Sequence, residues 1–228
     1  FPSSSAAHRK FPVGQLPIDD LEKRKTEYGC AVTDVAVSLC AGAVPRWLIE
    51  HDDLPDTPLV AQVPVSVRTQ EHAGQLGNHV TAMFADLPVD VAGPRERLAV
   101  VAHQMTGLKG SGQSFGVESM LAAADFVPAT LMTLGAKVYA FAGQRVVNTV
   151  TTNIPGPQHP LHLLGHRMLE LFPYIPVAQT VRISIGILSY DGHLTIGVTG
   201  DYDTAPDISV LCRGIEKGIQ ELLTLSGA

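Results

Sequence analysis

VVNTVTTNIPGP, residues 146–157, is the stretch around which the chain is organised. The β-branched residues Val146, Val147, Thr149, Val150, Thr151 and Thr152 favour a strand, and Asn153-Ile-Pro-Gly-Pro ends it abruptly. Pro155 and Pro157 fix φ and offer no donor. Gly156 reaches backbone angles closed to other residues and lets another segment or a ligand come close. A stiff polar turn is thereby delivered to the end of a buried element. On local chemistry alone the stretch also fits a strand-terminating turn with no ligand.

Downstream, Val181 to Leu188 alternates apolar Val181, Ile183, Ile185 and Ile187 with Arg182, Ser184 and Gly186, which predicts a half-buried strand. The Asp191-Gly192 turn then joins it to a second alternating run, HLTIGVTGD, as a hairpin. Asp207 is placed to cap a last helix whose Val210, Leu211, Ile215, Ile219, Leu222 and Leu223 form one apolar face. Between the opening stretch and this hairpin, LHLLGHRMLELFPYIPV is irregular and aromatic.

Upstream, residues 114–142 are the most apolar part of the chain, interrupted by Asp125, Pro128, Gly135 and Lys137, and predict two helices against a core or a partner. Pro94 opens a helix with Leu98, Val101, Met105 and Leu108 at helical spacing. LVAQVPVSV, residues 59–67, and HVTAMFADLPV, residues 79–89, read as strands, with Pro64 marking an edge or bulge in the first. Thr33-Asp34 leads into a small-residue helix in which Pro45 predicts a kink or break. A short exposed helix follows Pro17 and stops at Gly29. Residues 1–12 are polar and proline-punctuated, so they read as a tether outside the fold, with residues 13–228 as one lobe.

The bulk numbers restrict function. A chain of 228 residues buries a real core, and a composition 45% hydrophobic against 17% charged leaves apolar surface for something to cover. A net charge of −6, with no run of Lys or Arg, gives no grip on nucleic acid. The three cysteines, Cys30, Cys40 and Cys212, lack CxxC spacing and read as reduced core thiols of a cytoplasmic protein. His159, His162 and His166 lie in a Pro- and Gly-containing loop without Cys or Glu at ligand spacing, so no metal site is expected. There is no HExxH, no Gly-x-Ser-x-Gly elbow and no phosphate-cradling glycine loop after a strand. No self-contained catalytic centre is legible.

Taken in order, Thr33-Asp34-Val35, Pro64-Val-Ser-Val-Arg68, Gly77-Asn78, Thr152-Asn-Ile-Pro-Gly-Pro157, and Ser189-Tyr-Asp-Gly192 with Asp201 resemble successive blocks of the bacterial wax ester synthase/diacylglycerol acyltransferase family, actinobacterial triacylglycerol synthases above all. The resemblance covers residues 11 to 225 and the C-terminal half of that family; one departure is Thr33, where the family usually has Asn before the Asp. It implies an α/β (α+β) lobe of the chloramphenicol acetyltransferase type, a mixed β-sheet flanked by helices, with a tunnel between two such lobes. It also implies that the catalytic His-His-x-x-x-Asp-Gly belongs to the N-terminal lobe, so no catalytic residue is expected in this chain. There the second His would take the proton of a diacylglycerol or long-chain alcohol hydroxyl as it attacks an acyl-CoA thioester, in a shielded site with donors for the oxyanion.

On that basis Asn153, Thr152, Gly156, Asp34, Arg68 and Asn78 are the candidates for lining the tunnel or meeting acyl-CoA. Asn153 would present its amide, Asp34 would organise a helix start and Arg68 would meet the CoA phosphates. Acyl-CoA is then a substrate and no cofactor is required. The expected partners are the N-terminal lobe, the two substrates and a membrane or lipid-droplet surface touched peripherally. Two other classes fit the same residues: a condensation-type enzyme taking carrier-bound acyl groups, and a non-catalytic lipid-binding or interaction module.

Overall fold

A computed structural model describes residues 8–54, 59–66, 80–110, 147–177, 181 and 183–225. Strands β1 (Arg9–Lys10) and β2 (Val13–Pro17) are followed by helices α1 (Ile18–Tyr28) and α2 (Val32–Glu50). Then come β3 (Leu59–Ser66), β4 (Val80–Leu87) and helix α3 (Pro94–Gly110). The second half carries β5 (Thr149–Ile154), a small hairpin of β6 (His162–Leu163) and β7 (His166–Arg167), then β8 (Ile183–Tyr190), β9 (His193–Asp201) and helix α4 (Ser209–Thr224).

β5 lies inside a seven-stranded mixed sheet, parallel to both β3 and β8. β4 and β9 run antiparallel outside them, and β1 and β2 both add to the outer edge of β9. One face of the sheet carries Leu59, Ala61, Val63, Met83, Ala85, Ile183, Ile185, Ile187, Leu194, Ile196 and Val198 into a single core with α2, α3 and α4. The fold is the expected helix-flanked mixed sheet.

Where the structure departs from the sequence reading, the cause is tertiary. Residues 9–12 are not a tether: Arg9 and Lys10 pair with Asp201 and Gly200 of β9, and the Pro12 carbonyl accepts the Val198 N–H at 3.0 Å. α2 runs through Pro45 without a break, and buried Ala41 and Val44 pack around that turn. β8 is buried on both faces, because the segment 168–177 crosses the sheet opposite the helices. The small alternants make room for it: a Cβ on Gly197 would stand 2.1 Å from the Pro173 carbonyl, and one on Gly186 would meet Ile175 and Pro173. Asp207 does not cap α4 with its side chain. Its carboxylate instead accepts the Trp47 Nε1–H at 2.8 Å and lies 3.3 Å from His51 Nε2, joining the two helices. Pro64 is tolerated because the β3–β5 ladder registers only Ala61 and Gln62, so its missing donor falls beyond the pairing. The two helices expected over residues 114–142 lie outside the described residues.

All three cysteines are free and buried. Burial pushes the Cys40 thiol up to about 12, and burial with the Glu216 charge does the same for Cys212. In the unfolded chain these thiols ionise near 9.0, so between those values the unfolded state holds fewer protons and stability falls as pH rises. The expected result is a melting temperature that declines above pH 9, with a shallower decline in Cys40→Ala; identical slopes would remove the thiol from the account.

Candidate functional site

Three sequence blocks meet at the carboxyl ends of the parallel strands β5 and β8. The first two are the turn after β5 and the β8–β9 hairpin. Gly156 N–H donates to Ser189 Oγ at 3.1 Å, and the Asp191 N–H donates to the Pro157 carbonyl at 3.1 Å. Gln158 ties both sides, its Nε2 donating to the Gly156 carbonyl at 3.0 Å while its Oε1 accepts the Gly192 N–H at 3.2 Å. The hairpin turn holds its shape through positive φ at Asp191 and Gly192. The Tyr190 hydroxyl accepts from Leu161 N–H at 2.8 Å and donates to the Met168 carbonyl at 2.9 Å, and Arg167 pairs with Asp191 at 2.7 Å. These bonds hold the chain on either side of β6–β7 to the same corner.

The third block arrives from the helix side. Asn153 pairs in register with Ile187, so it shares the helix-facing side of the sheet and meets the first turn of α2, where its Nδ2 donates to Thr33 Oγ1 at 3.2 Å. Asp34 is buried beside it, and its carboxylate accepts the Ala31 N–H at 2.9 Å. That is half of a capping box, since the Ala31 methyl offers no acceptor to answer it. The other Asp34 oxygen is buried with no hydrogen-bond partner among the described residues. After burial itself, the Asp34 charge is what raises the Cys30 thiol.

Of the tunnel candidates, Asn153 and Asp34 are therefore brought together through Thr33. Gly156 sits on the adjoining turn. Thr152 is buried on the opposite face of β5, in register with Gly186. Arg68 and Asn78 lie outside the described residues. Sequence reasoning missed Thr33, Ser189 and Gln158 as the residues that tie the blocks to one another. Ser189 and Thr33 both belong to the blocks that carry the resemblance, but nothing local marked Thr33 as the partner of a residue 120 positions away. The cluster offers an amide, a hydroxyl and a helix N-terminus, all suited to orienting polar groups of a ligand. Among the described residues, no imidazole is hydrogen-bonded to Asn153 or Thr33; His193 Nδ1 lies 3.1 Å from the Asp191 carbonyl at the hairpin turn.

Residues 76–223 match the model of the WS/DGAT C-terminal domain. The chain belongs to that family. It is 32% identical over 219 residues to a Mycobacterium tuberculosis H37Rv protein named as a diacylglycerol O-acyltransferase, tgs1, covering 96% of this chain and 47% of the relative. A second protein of that strain with the same activity in its name, Rv3480c, is 30% identical over 227 residues, covering 97% of this chain and 45% of the relative. The chain thus spans about half the length of these relatives. In structure, this WS/DGAT C-terminal domain is similar to the wax ester synthase/diacylglycerol acyltransferase from Marinobacter aquaeolei VT8, with a TM-score of 0.77 and 24% identity over 100% of this chain and 51% of that one. It also resembles the epimerization domain of tyrocidine synthetase B, with a TM-score of 0.61 and 12% identity over 97% of this chain and 49% of that one. Both likenesses concern the fold.

Proposed function

We propose that this WS/DGAT C-terminal domain is one lobe of a two-lobe O-acyltransferase that moves an acyl group from acyl-CoA to a diacylglycerol or long-chain alcohol. The observation that carries the reading is the convergence of Asn153, Thr33 and the Gly156 turn at the carboxyl ends of β5 and β8. In this reading Asn153 orients the acyl group. The general base is the His-His-x-x-x-Asp-Gly histidine that the resemblance assigns to the N-terminal lobe, and Arg68 meets the CoA phosphates. The names of relatives about a third identical over the aligned stretch favour this reading over transfer from a carrier protein, for which only distant likenesses of fold speak. Acyl-CoA enters as substrate, and no cofactor takes part.

Asn153→Ala in the two-lobe protein tests it. The expected loss in turnover is roughly a hundredfold, the scale of removing one preorganised donor, with the melting temperature little changed. A fall in stability matching the fall in turnover would make Asn153 a purely structural residue. In this reading the enzyme is cytoplasmic and, because its acceptor is water-insoluble, works at the rim of a membrane or lipid droplet. The exposed Leu163, Leu164 and Leu169 are the residues whose replacement by Ser should lower flotation with phospholipid vesicles, and unchanged flotation would clear them of that role.

A further inference from the structure

We infer that Thr33 is a positioning residue, whose hydroxyl holds the Asn153 amide in the orientation used for acyl transfer. The inference rests on the function proposed above. Asn153 is only partly buried and is the penultimate residue of β5. The second torsion of an asparagine is broad, so such an amide would sample several orientations unless something held it. Thr33 Oγ1 takes one of the two Nδ2 protons at 3.2 Å. One N–H is left to donate to an acyl carbonyl, and the side-chain carbonyl is left to accept from a hydroxyl or an amide N–H of the substrates.

The anchor is itself fixed. Thr33 occupies the second residue of α2, where its β-branched side chain has few rotamers. The buried Asp34 carboxylate holds the preceding Ala31 N–H at 2.9 Å and so sets the angle at which the helix starts. The neighbours Thr33 and Asp34 therefore do separate work: Asp34 fixes the first turn, and Thr33 passes that fixed geometry across to β5.

Thr33→Val keeps the shape and removes the hydroxyl, whereas Thr33→Ser keeps the hydroxyl. In the two-lobe enzyme, assayed with palmitoyl-CoA and dioleoylglycerol, Thr33→Val is expected to lower kcat about tenfold, the equivalent of one hydrogen bond, with KM for the acyl-CoA within about twofold. Thr33→Ser is expected to keep at least about half of kcat by retaining that bond. Thr33→Val added to Asn153→Ala is expected to cost nothing further, because the two act as a unit. Wild-type kcat in Thr33→Val, equal losses in the Val and Ser variants, or losses that multiply in the double variant would each overturn the inference. A separate readout distinguishes its failure from failure of the proposed function. In protein labelled with 15N at asparagine, the Asn153 side-chain NH2 resonances should move in Thr33→Val and stay in place in Thr33→Ser, whether or not the wild-type protein transfers acyl groups. Resonances unmoved in Thr33→Val would refute the contact itself.

Discussion

Gly156→Ala is expected to destabilise the protein by about 2–3 kcal/mol and to lower its melting temperature by roughly 5–10 °C, as overpacking against an unyielding neighbour does in a chain of this size. A Cβ at Gly156 would stand 2.2 Å from the Ser189 carbonyl oxygen, and because that atom is backbone, no rotamer change can move it aside. Either the turn after β5 must lift away from the β8–β9 hairpin or the hairpin must shift. Both movements break the bond from Gly156 N–H to Ser189 Oγ. Turnover should fall further than stability, because Asn153 lies three residues from the displaced glycine. Gly107→Ala is the contrasting change. A Cβ there meets open space, and the residue lies inside α3, so the same chemical step should stabilise by about 0.5–1 kcal/mol. Thermal melts of the two variants measure this directly, and equal shifts would contradict the geometry of the turn.

The largest loss of stability is expected from Trp47→Ala, about 3–5 kcal/mol by chemical denaturation. Trp47 is 1% exposed, and its ring centroid lies 4.4 Å from that of His51. Truncation would open a cavity in the core beside α2 and would also leave Asp207 without the indole N–H it accepts at 2.8 Å. Trp47→Phe separates the two contributions. It keeps most of the apolar contact and loses the hydrogen bond, so a loss near 1 kcal/mol is expected. If the Ala and Phe variants were equally unstable, the bond to Asp207 and not the packing would be the main tie between the helices.

Much of the fold was legible because its signals are local. Gly29 ends α1 in the left-handed conformation, Pro94 opens α3, and Asp191-Gly192 makes the β8–β9 turn, each where the residue's own conformational preference placed it. What was not legible depended on distant partners. Arg9 and Lys10 have no strand propensity that would lift them from a tether, and only the free edge of β9 makes them strand. Asp207 had every local reason to cap α4, but an indole N–H from another helix claims its carboxylate. The candidate site divides in the same way. Asn153, Gly156 and Asp34 could be named from their blocks, yet no periodicity or spacing says that Thr33 would meet Asn153 or that Ser189 would receive the Gly156 N–H. Those are consequences of the parallel register that sets Asn153 beside Ile187 and Ile154 beside Leu188.

The most direct measurement is acyl transfer by this chain, alone and after addition of the N-terminal lobe carrying His-His-x-x-x-Asp-Gly, with acyl-CoA and diacylglycerol as substrates. The division of labour between the lobes predicts no turnover by the chain alone, and triacylglycerol formation once the second lobe supplies the general base. Turnover by the isolated chain at the rate of the two-lobe protein would contradict it.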